Sequence, residues 1–184
     1  AVRSSSLQMR KSPARSVQDL VKLAKSKPGE LNHGSVGSGS MGSLAAELLR
    51  SLAGIKFTQV AYKGSPQALT ALISAEIDFY LIGSVGTAAA QVKAGRVRAL
   101  GVGAKERVPA LPDVPPIAET VPGYEARGWN GILAPAGTPR PIINKLHEAL
   151  VKVINSPDSV KRLEGNGAGG QCPGVAMSKN SFIV

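Results

Sequence analysis

An extended run, a loop of small residues and then a helix recur in succession through the first half of the chain, and this alternation constrains the fold most. Residues 31–34 read as a short strand, which enters the loop Gly34-Ser35-Val36-Gly37-Ser38-Gly39-Ser40. A helix over about 40–53 follows, with Leu44, Leu48 and Leu52 on one stripe, Ala45 and Leu49 beside it, and Gly54 as its stop. Residues 56–61 alternate as a strand and lead into Tyr62-Lys63-Gly64-Ser65-Pro66. There Ser65 is expected to cap a helix with Pro66 at its first position and Leu69, Leu72 and Ile73 pointing inward. Residues 77–82 form the next strand, 83–87 a second small-residue loop, 88–94 a helix closed by Gly95, and 97–102 another strand. This is βαβ spacing. It predicts an α/β fold with a mostly parallel sheet flanked by helices, whose ligands bind at the carboxyl ends of strands.

The first loop then becomes chemically informative. Glycines let a backbone approach a ligand closely, serines add short hydroxyl donors, and the following helix presents unpaired N–H groups at its positive end. Such a junction suits a carboxylate or a phosphate. A flexible Gly/Ser turn ahead of a capped helix uses the same residues, so the loop alone leaves both readings open. Its neighbours at the same sheet edge are 62–65 and 83–87. The candidate binding residues are therefore Ser35, Gly37, Ser38, Gly39, Ser40, Tyr62, Lys63, Gly64, Gly83 and Ser84. Lys63 stands at a strand end, where a lysine is usually solvated.

Elsewhere the pattern is less regular. Residues 1–15 show little periodicity and read as a lead-in segment, or as a strand whose partner lies elsewhere. Ser16-Val17-Gln18-Asp19 resembles a capping box for a helix with Leu20, Val21, Leu23 and Ala24 on its apolar face and Pro28-Gly29 at its stop. Five prolines make 103–123 an irregular excursion with one short helix near 117–120. Residues 124–133 read as extended and contain Trp129, more a packing anchor than a ligand platform. Thr138 and Pro139 are expected to start a strong helix with Ile142, Ile143, Leu146, Leu150, Val153 and Ile154 on its apolar face. Ser156-Pro157-Asp158 starts another that ends near Gly165, after which the pattern is lost.

Composition narrows the function. The net charge is +10, from 22 Lys and Arg against 12 Asp and Glu, a balance that suits anionic partners. The basic residues are spread singly without interleaved aromatics, which make up 4% of the chain, so nucleic acid is not an expected partner. No apolar run approaches the roughly 20 residues that span a bilayer. The single Cys172 excludes an internal disulfide framework. His33 and His147 are the two histidines, the latter expected to face solvent from a helix. No His, Cys or carboxylate cluster has metal-ligand spacing. The glycine loop lacks the lysine of a Walker motif. A Gly-x-Gly-x-x-Gly frame over Gly37, Gly39 and Gly42 lacks the acidic residue about 20 positions on. Binding without catalysis, and without a cofactor, is the expectation.

Taken in order, several segments resemble the Bug-type, or tripartite tricarboxylate transporter, periplasmic substrate-binding receptors. They are Leu23-Ala24-Lys25-Ser26-Lys27-Pro28-Gly29-Glu30-Leu31-Asn32, the Gly/Ser loop, Tyr62-Lys63-Gly64-Ser65 and Lys93-Ala94-Gly95-Arg96-Val97-Arg98-Ala99-Leu100. Pro109-Ala110-Leu111-Pro112-Asp113-Val114-Pro115, Pro122-Gly123-Tyr124-Glu125 and Ala134-Pro135-Ala136-Gly137-Thr138-Pro139 follow, so that the likeness covers about 16–167. It implies a periplasmic-binding-protein-like fold in which two α/β domains close over a small organic carboxylate: a dicarboxylate, an amino acid or an aromatic acid. Residues 1–130 would be the second domain, carrying the Gly/Ser half of the clamp. Residues 131–184 would return to the first domain. A periplasmic, monomeric, non-enzymatic receptor working with membrane transporter subunits is implied.

The sequence departs from that pattern in three places. The family's Pro-Gly-Gly loop and the N-terminal half of the first domain have no counterpart here, which implies an incomplete two-domain clamp. Ser43 stands where the family typically has His. The stretch after Gly167 does not continue the motifs. The alternative function is a nucleotide- or phosphate-binding α/β enzyme domain using the same loop. A third reading is a fold that serves only as an interaction surface.

Overall fold

The computed structural model describes residues 6–9, 13–83, 85–126, 128, 132–165, 176–178 and 181–183. Trp129 and Cys172 lie outside the described residues, as does Ser84 of the candidate site. The chain runs through β1 (Ser6–Met9), α1 (Val17–Ser26), β2 (Asn32–Ser35), α2 (Met41–Ala53), β3 (Thr58–Ala61), α3 (Ser65–Ser74), β4 (Phe79–Ile82), α4 (Val85–Lys93) and β5 (Arg98–Val102). A short 3-10 turn at Ile117–Glu119 follows, then β6 (Leu133–Ala134), α5 (Arg140–Ile154), α6 (Pro157–Gly165), β7 (Ala176–Ser178) and β8 (Ser181–Ile183).

Five strands form one sheet in the order β3-β2-β4-β1-β5. β2 is parallel to both neighbours, with Gly34 opposite Val60 on β3 and Tyr80 on β4. β1 is antiparallel to β4 and to β5, with a register shift between Leu7 and Gln8. The sheet is therefore mixed: β2, β3, β4 and β5 run one way and the chain's first strand runs the other. Of the two readings of the opening segment, the strand holds for residues 6–9, and its partners are β4 and β5.

β4 shows how the core divides. All four of its residues are buried, as in a strand covered on both faces. Phe79 and Leu81 pack with Leu20 and Ala24 of α1 and with Ala45, Ala46 and Leu49 of α2. Tyr80 and Ile82 point the other way, onto Ala68, Ala71 and Leu72 of α3 and Ala88 of α4. The helices thus cover both faces of the sheet, α1 and α2 on one and α3 and α4 on the other.

Several sequence expectations are corrected. The leucine stripe of α2 meets the core only at Leu48, which packs partly against it, because Leu44 is 54% and Leu52 45% exposed. Gly42, Ser43, Ala45, Ala46 and Leu49 are the buried residues. Small residues let the helix come down onto β4, where a Cβ on Gly42 would lie 2.4 Å from the Leu81 carbonyl oxygen.

Two caps also differ. Ser65 is the first residue of α3, Gly64 takes the cap position, and no side chain caps the end. The Ser65 hydroxyl accepts a hydrogen bond from the Tyr80 hydroxyl at 3.0 Å instead. Thr138 turns its hydroxyl onto the Pro135 carbonyl at 2.7 Å, and Pro139 occupies the α5 cap position without a side-chain bond. Ser16 does cap α1, accepting from the Asp19 N–H at 3.1 Å. α4 begins at Val85, ahead of the expected 88.

The apolar face of α5 is only partly covered among the described residues. Ile143 is fully buried, whereas Ile142, Leu146 and Val153 are about half exposed. His147 is half-buried rather than solvent-facing, and its Nδ1 has no hydrogen-bond partner among the described residues. The patternless stretch after 165 contains two strands, β7 and β8, which join β6 in a small antiparallel sheet. Of the extended structure expected over 124–133, the described residues show a strand only at its end, where Leu133 opens the two-residue β6.

Candidate functional site

β3, β2 and β4 lie side by side and run in the same direction, so their carboxyl ends form one stretch of sheet edge. The loops at 36–40 and 62–64 and Gly83 leave from there, and α2, α3 and α4 begin at or just after that edge. None of these three helices has an acidic residue in its first turn, whereas α1 has Asp19 and α6 has Asp158. Their unpaired N–H groups and positive dipole ends are therefore not neutralised from within the helices. α2 leaves β2 on one face of the sheet and α4 leaves adjacent β4 on the other. That divergence opens a crevice between neighbouring strand ends, the usual ligand position in α/β sheets.

The Gly/Ser loop is built to be approached. Gly37 has φ +117°, a conformation that favours glycine, and the Ser40 N–H closes the turn onto its carbonyl at 3.0 Å. Gly37, Ser38 and Gly39 are exposed, and a Cβ on either glycine would meet nothing within 4 Å. Beneath them lies a buried hydroxyl cluster. Ser40 caps α2, accepting from the Ser43 N–H at 3.3 Å, and donates its own proton to the Ser43 hydroxyl at 2.9 Å. The hydroxyls of Ser43 and Ser35 are 2.7 Å apart, and these residues are only 2% and 5% exposed.

The Tyr62 N–H donates to the Ser35 carbonyl at 2.7 Å, tying the second loop to the first. Partial burial and the Glu76 carboxylate raise the Tyr62 phenol above its ordinary pKa, so it remains a neutral donor. The Lys63 N–H bonds to the Gln67 side chain at 3.1 Å, while the residue itself is exposed at the strand end. Gly64 is extended at φ 179°, and Gly83 is exposed.

The structure thus joins Ser35 and Ser40 through Ser43, and Ser35 to Tyr62 through the backbone. Gly37, Ser38 and Gly39 are presented above them. Lys63, Gly64 and Gly83 are brought to the same edge without a side-chain contact to the cluster.

Sequence reading missed two members. Ser43 carries the signal of helical spacing from Ser40, which puts both on one face. His33 lies two residues before Ser35 on the same face of β2, fully buried against Phe57 and Phe79 with ring centroids 5.6 and 4.9 Å away. Its Nε2 accepts from the Leu81 N–H at 3.4 Å, its Nδ1 has no partner, and burial pushes its pKa down to about 4. The neutral ring supports the floor of the site from inside the core.

Surface depressions among the described residues include two at the opposite end of the sheet and one that reaches this edge at Tyr62. One of about 340 Å³ is lined by Gly95, Arg96 and Arg98, and one of about 320 Å³ by Leu31, Ile77 and Asp78, both where strands begin. A third, of about 290 Å³, runs beside α3 from Tyr62 to Glu76. Among the described residues no group of three or more His, Cys, Asp or Glu could hold a metal ion. No described helix is long and apolar enough to cross a membrane.

The family described as the tripartite tricarboxylate transporter family receptor matches residues 3–179, beyond the motif-bearing 16–167 on both sides. The UPF0065 protein in the tcbD-tcbE intergenic region of Pseudomonas sp. (strain P51) is 40% identical over 152 residues, which are 82% of this chain and 45% of that protein. The chain therefore spans about half the length of such relatives. Among solved structures, R. palustris Rpa4515 with adipate aligns with a TM-score of 0.84 at 34% identity, over 91% of this chain and 56% of that one. MatC from Rhodopseudomonas palustris with bound malate aligns with a TM-score of 0.84 at 31% identity, over 93% and 58%. With the family match covering almost all of its length, this chain belongs to the tripartite tricarboxylate transporter receptor family.

Proposed function

We propose that this chain forms one side of an extracytoplasmic solute receptor and holds the carboxylate of a small organic acid at the shared edge of β3, β2 and β4. The observation that carries this reading is that three helices without an acidic residue in the first turn begin at this edge, α2 directly beside the hydroxyl cluster of Ser35, Ser40 and Ser43. An anion there meets backbone N–H donors, hydroxyl donors and three positive dipole ends together. The Ser35 hydroxyl and the 37–39 backbone contact the carboxylate, and Tyr62 and Lys63 flank it. Similar proteins bound to adipate and malate support a dicarboxylate as the solute.

Residues 1–130 act as the receptor's second domain, and 131–184 return to the first, where the half-exposed apolar face of α5 is to be covered. Similarity to periplasmic binding proteins supports a periplasmic location and handover to membrane transporter subunits. The reaction is binding and release, without covalent chemistry.

Calorimetric titration of the chain with adipate, malate and glutamate, with adipamide as the neutral control, tests this. Saturable heat from at least one acid and none from the diamide is expected. Silence from every carboxylate, or a preference for the diamide, overturns the reading.

A further inference from the structure

The three hydroxyls beneath the loop have a direction. The Ser40 oxygen accepts from the Ser43 N–H, and its proton goes to the Ser43 oxygen. That leaves two arrangements of the 2.7 Å contact between Ser43 and Ser35. In one, Ser43 donates to Ser35, and the Ser35 proton, at the end of β2 and without an acceptor among the described residues, is the free end of a relay. In the other, Ser35 donates to Ser43, and the Ser43 proton has no further acceptor among the described residues. Ser43 is 2% exposed, so the second arrangement strands a buried donor. The first strands nothing once an acceptor sits at the strand end, and successive O–H bonds polarise one another along the chain of donors. Ser35 itself is anchored, because its carbonyl is held by the Tyr62 N–H at 2.7 Å.

We propose that Ser43 is a positioning residue that fixes the Ser35 hydroxyl as a donor toward the solute, so that the site selects an ionised acceptor over its amide. Ser40 belongs to the same device: its hydroxyl is committed to Ser43 and does not contact the solute. The inference rests on carboxylate binding at this edge and adds how the edge tells a carboxylate from an isosteric amide. An amide also offers an acceptor, its carbonyl oxygen, but a neutral one, and the free Ser35 proton bonds an ionised carboxylate oxygen more strongly.

The test is a double-mutant cycle in the whole chain, with adipate and its monoamide as probes and affinity read by calorimetry. Ser35→Ala is expected to weaken adipate binding by about tenfold or more, the loss of a hydrogen bond to a charged acceptor. Ser43→Ala is expected to weaken it by roughly fivefold in the native background and by less than about twofold when Ser35 is already alanine. Ser43→Cys keeps the shape while donating poorly, and it is expected to reduce the preference for adipate over the monoamide by about fivefold. A merely structural Ser43 moves melting temperature but not this preference. Additive losses in the Ser35→Ala/Ser43→Ala double variant, or an unchanged preference in Ser43→Cys, overturn the inference and leave the proposed function standing. Absence of adipate binding by the unmodified chain overturns both.

Discussion

His33 makes a sharp prediction at the scale of the single residue. Its ring is fully buried among aromatic side chains, and burial holds its pKa at about 4 against an ordinary 6.5. The unfolded chain therefore takes up a proton before the folded one does. Its neutral form contributes stability in full above pH 6.5, and that contribution falls as pH drops toward 4, by about 3 kcal/mol in all. Urea denaturation at pH 7 and pH 4.5 should show this loss, and His33→Gln, which does not titrate, should flatten it. Equal pH dependence in both proteins would remove His33 as the cause. The sequence could place His33 on a strand but not in the core, since burial depends on Phe57 and Phe79 arriving from other elements. Ser35 and Ser40 were legible as candidates from the loop itself. Ser43 was legible only as a residue on the same helix face as Ser40, and the folded helix was needed to show its hydroxyl 2.7 Å from that of Ser35.

At the scale of the element, α2 is the instructive case. Periodicity found the helix and its Gly54 stop and put Leu44, Leu48 and Leu52 on one stripe, yet Leu44 and Leu52 are exposed while Leu49 beside them is fully buried. A hydrophobic stripe measures only side-chain polarity. What decides the buried face is how near the backbone must come to its neighbour, and here Gly42 and two alanines allow contact with β4. Gly42→Ala should therefore destabilise the fold by roughly 2 kcal/mol, because its Cβ would meet the rigid Leu81 backbone. Gly34→Ala should be milder: its tightest clash, at 2.6 Å, is with the flexible tip of Ile77. Comparing their thermal midpoints checks the order, and a smaller effect for Gly42→Ala would contradict close helix-on-sheet packing. The missed caps have a similar cause. Ser65 and Thr138 have the right residue type for a cap, yet each hydroxyl found a nearer partner, the Tyr80 hydroxyl in one case and the Pro135 carbonyl in the other.

For the whole molecule, the net charge of +10 and the acid-free helix ends together make an attractive field for anions. Screening shortens the reach of that field from about 30 Å at 10 mM salt to about 8 Å at physiological ionic strength. The association rate of a dicarboxylate measured by stopped flow should therefore fall severalfold over that range, with a smaller change in dissociation. A rate indifferent to salt would argue against electrostatic guidance.

The sequence by itself determined the succession of strands, loops and helices, because that information is local: periodicity, caps and glycine stops are read within one turn or one strand. Through the order of its motifs it also determined the family. Tertiary structure alone decided what depends on distant segments meeting. It placed β1 antiparallel between β4 and β5, turned α2 onto its small residues, buried His33 and linked Ser35 to Ser40 through Ser43. The reason is physical. Strand pairing and close packing are set by which surfaces fit, and a one-dimensional pattern carries polarity but not fit.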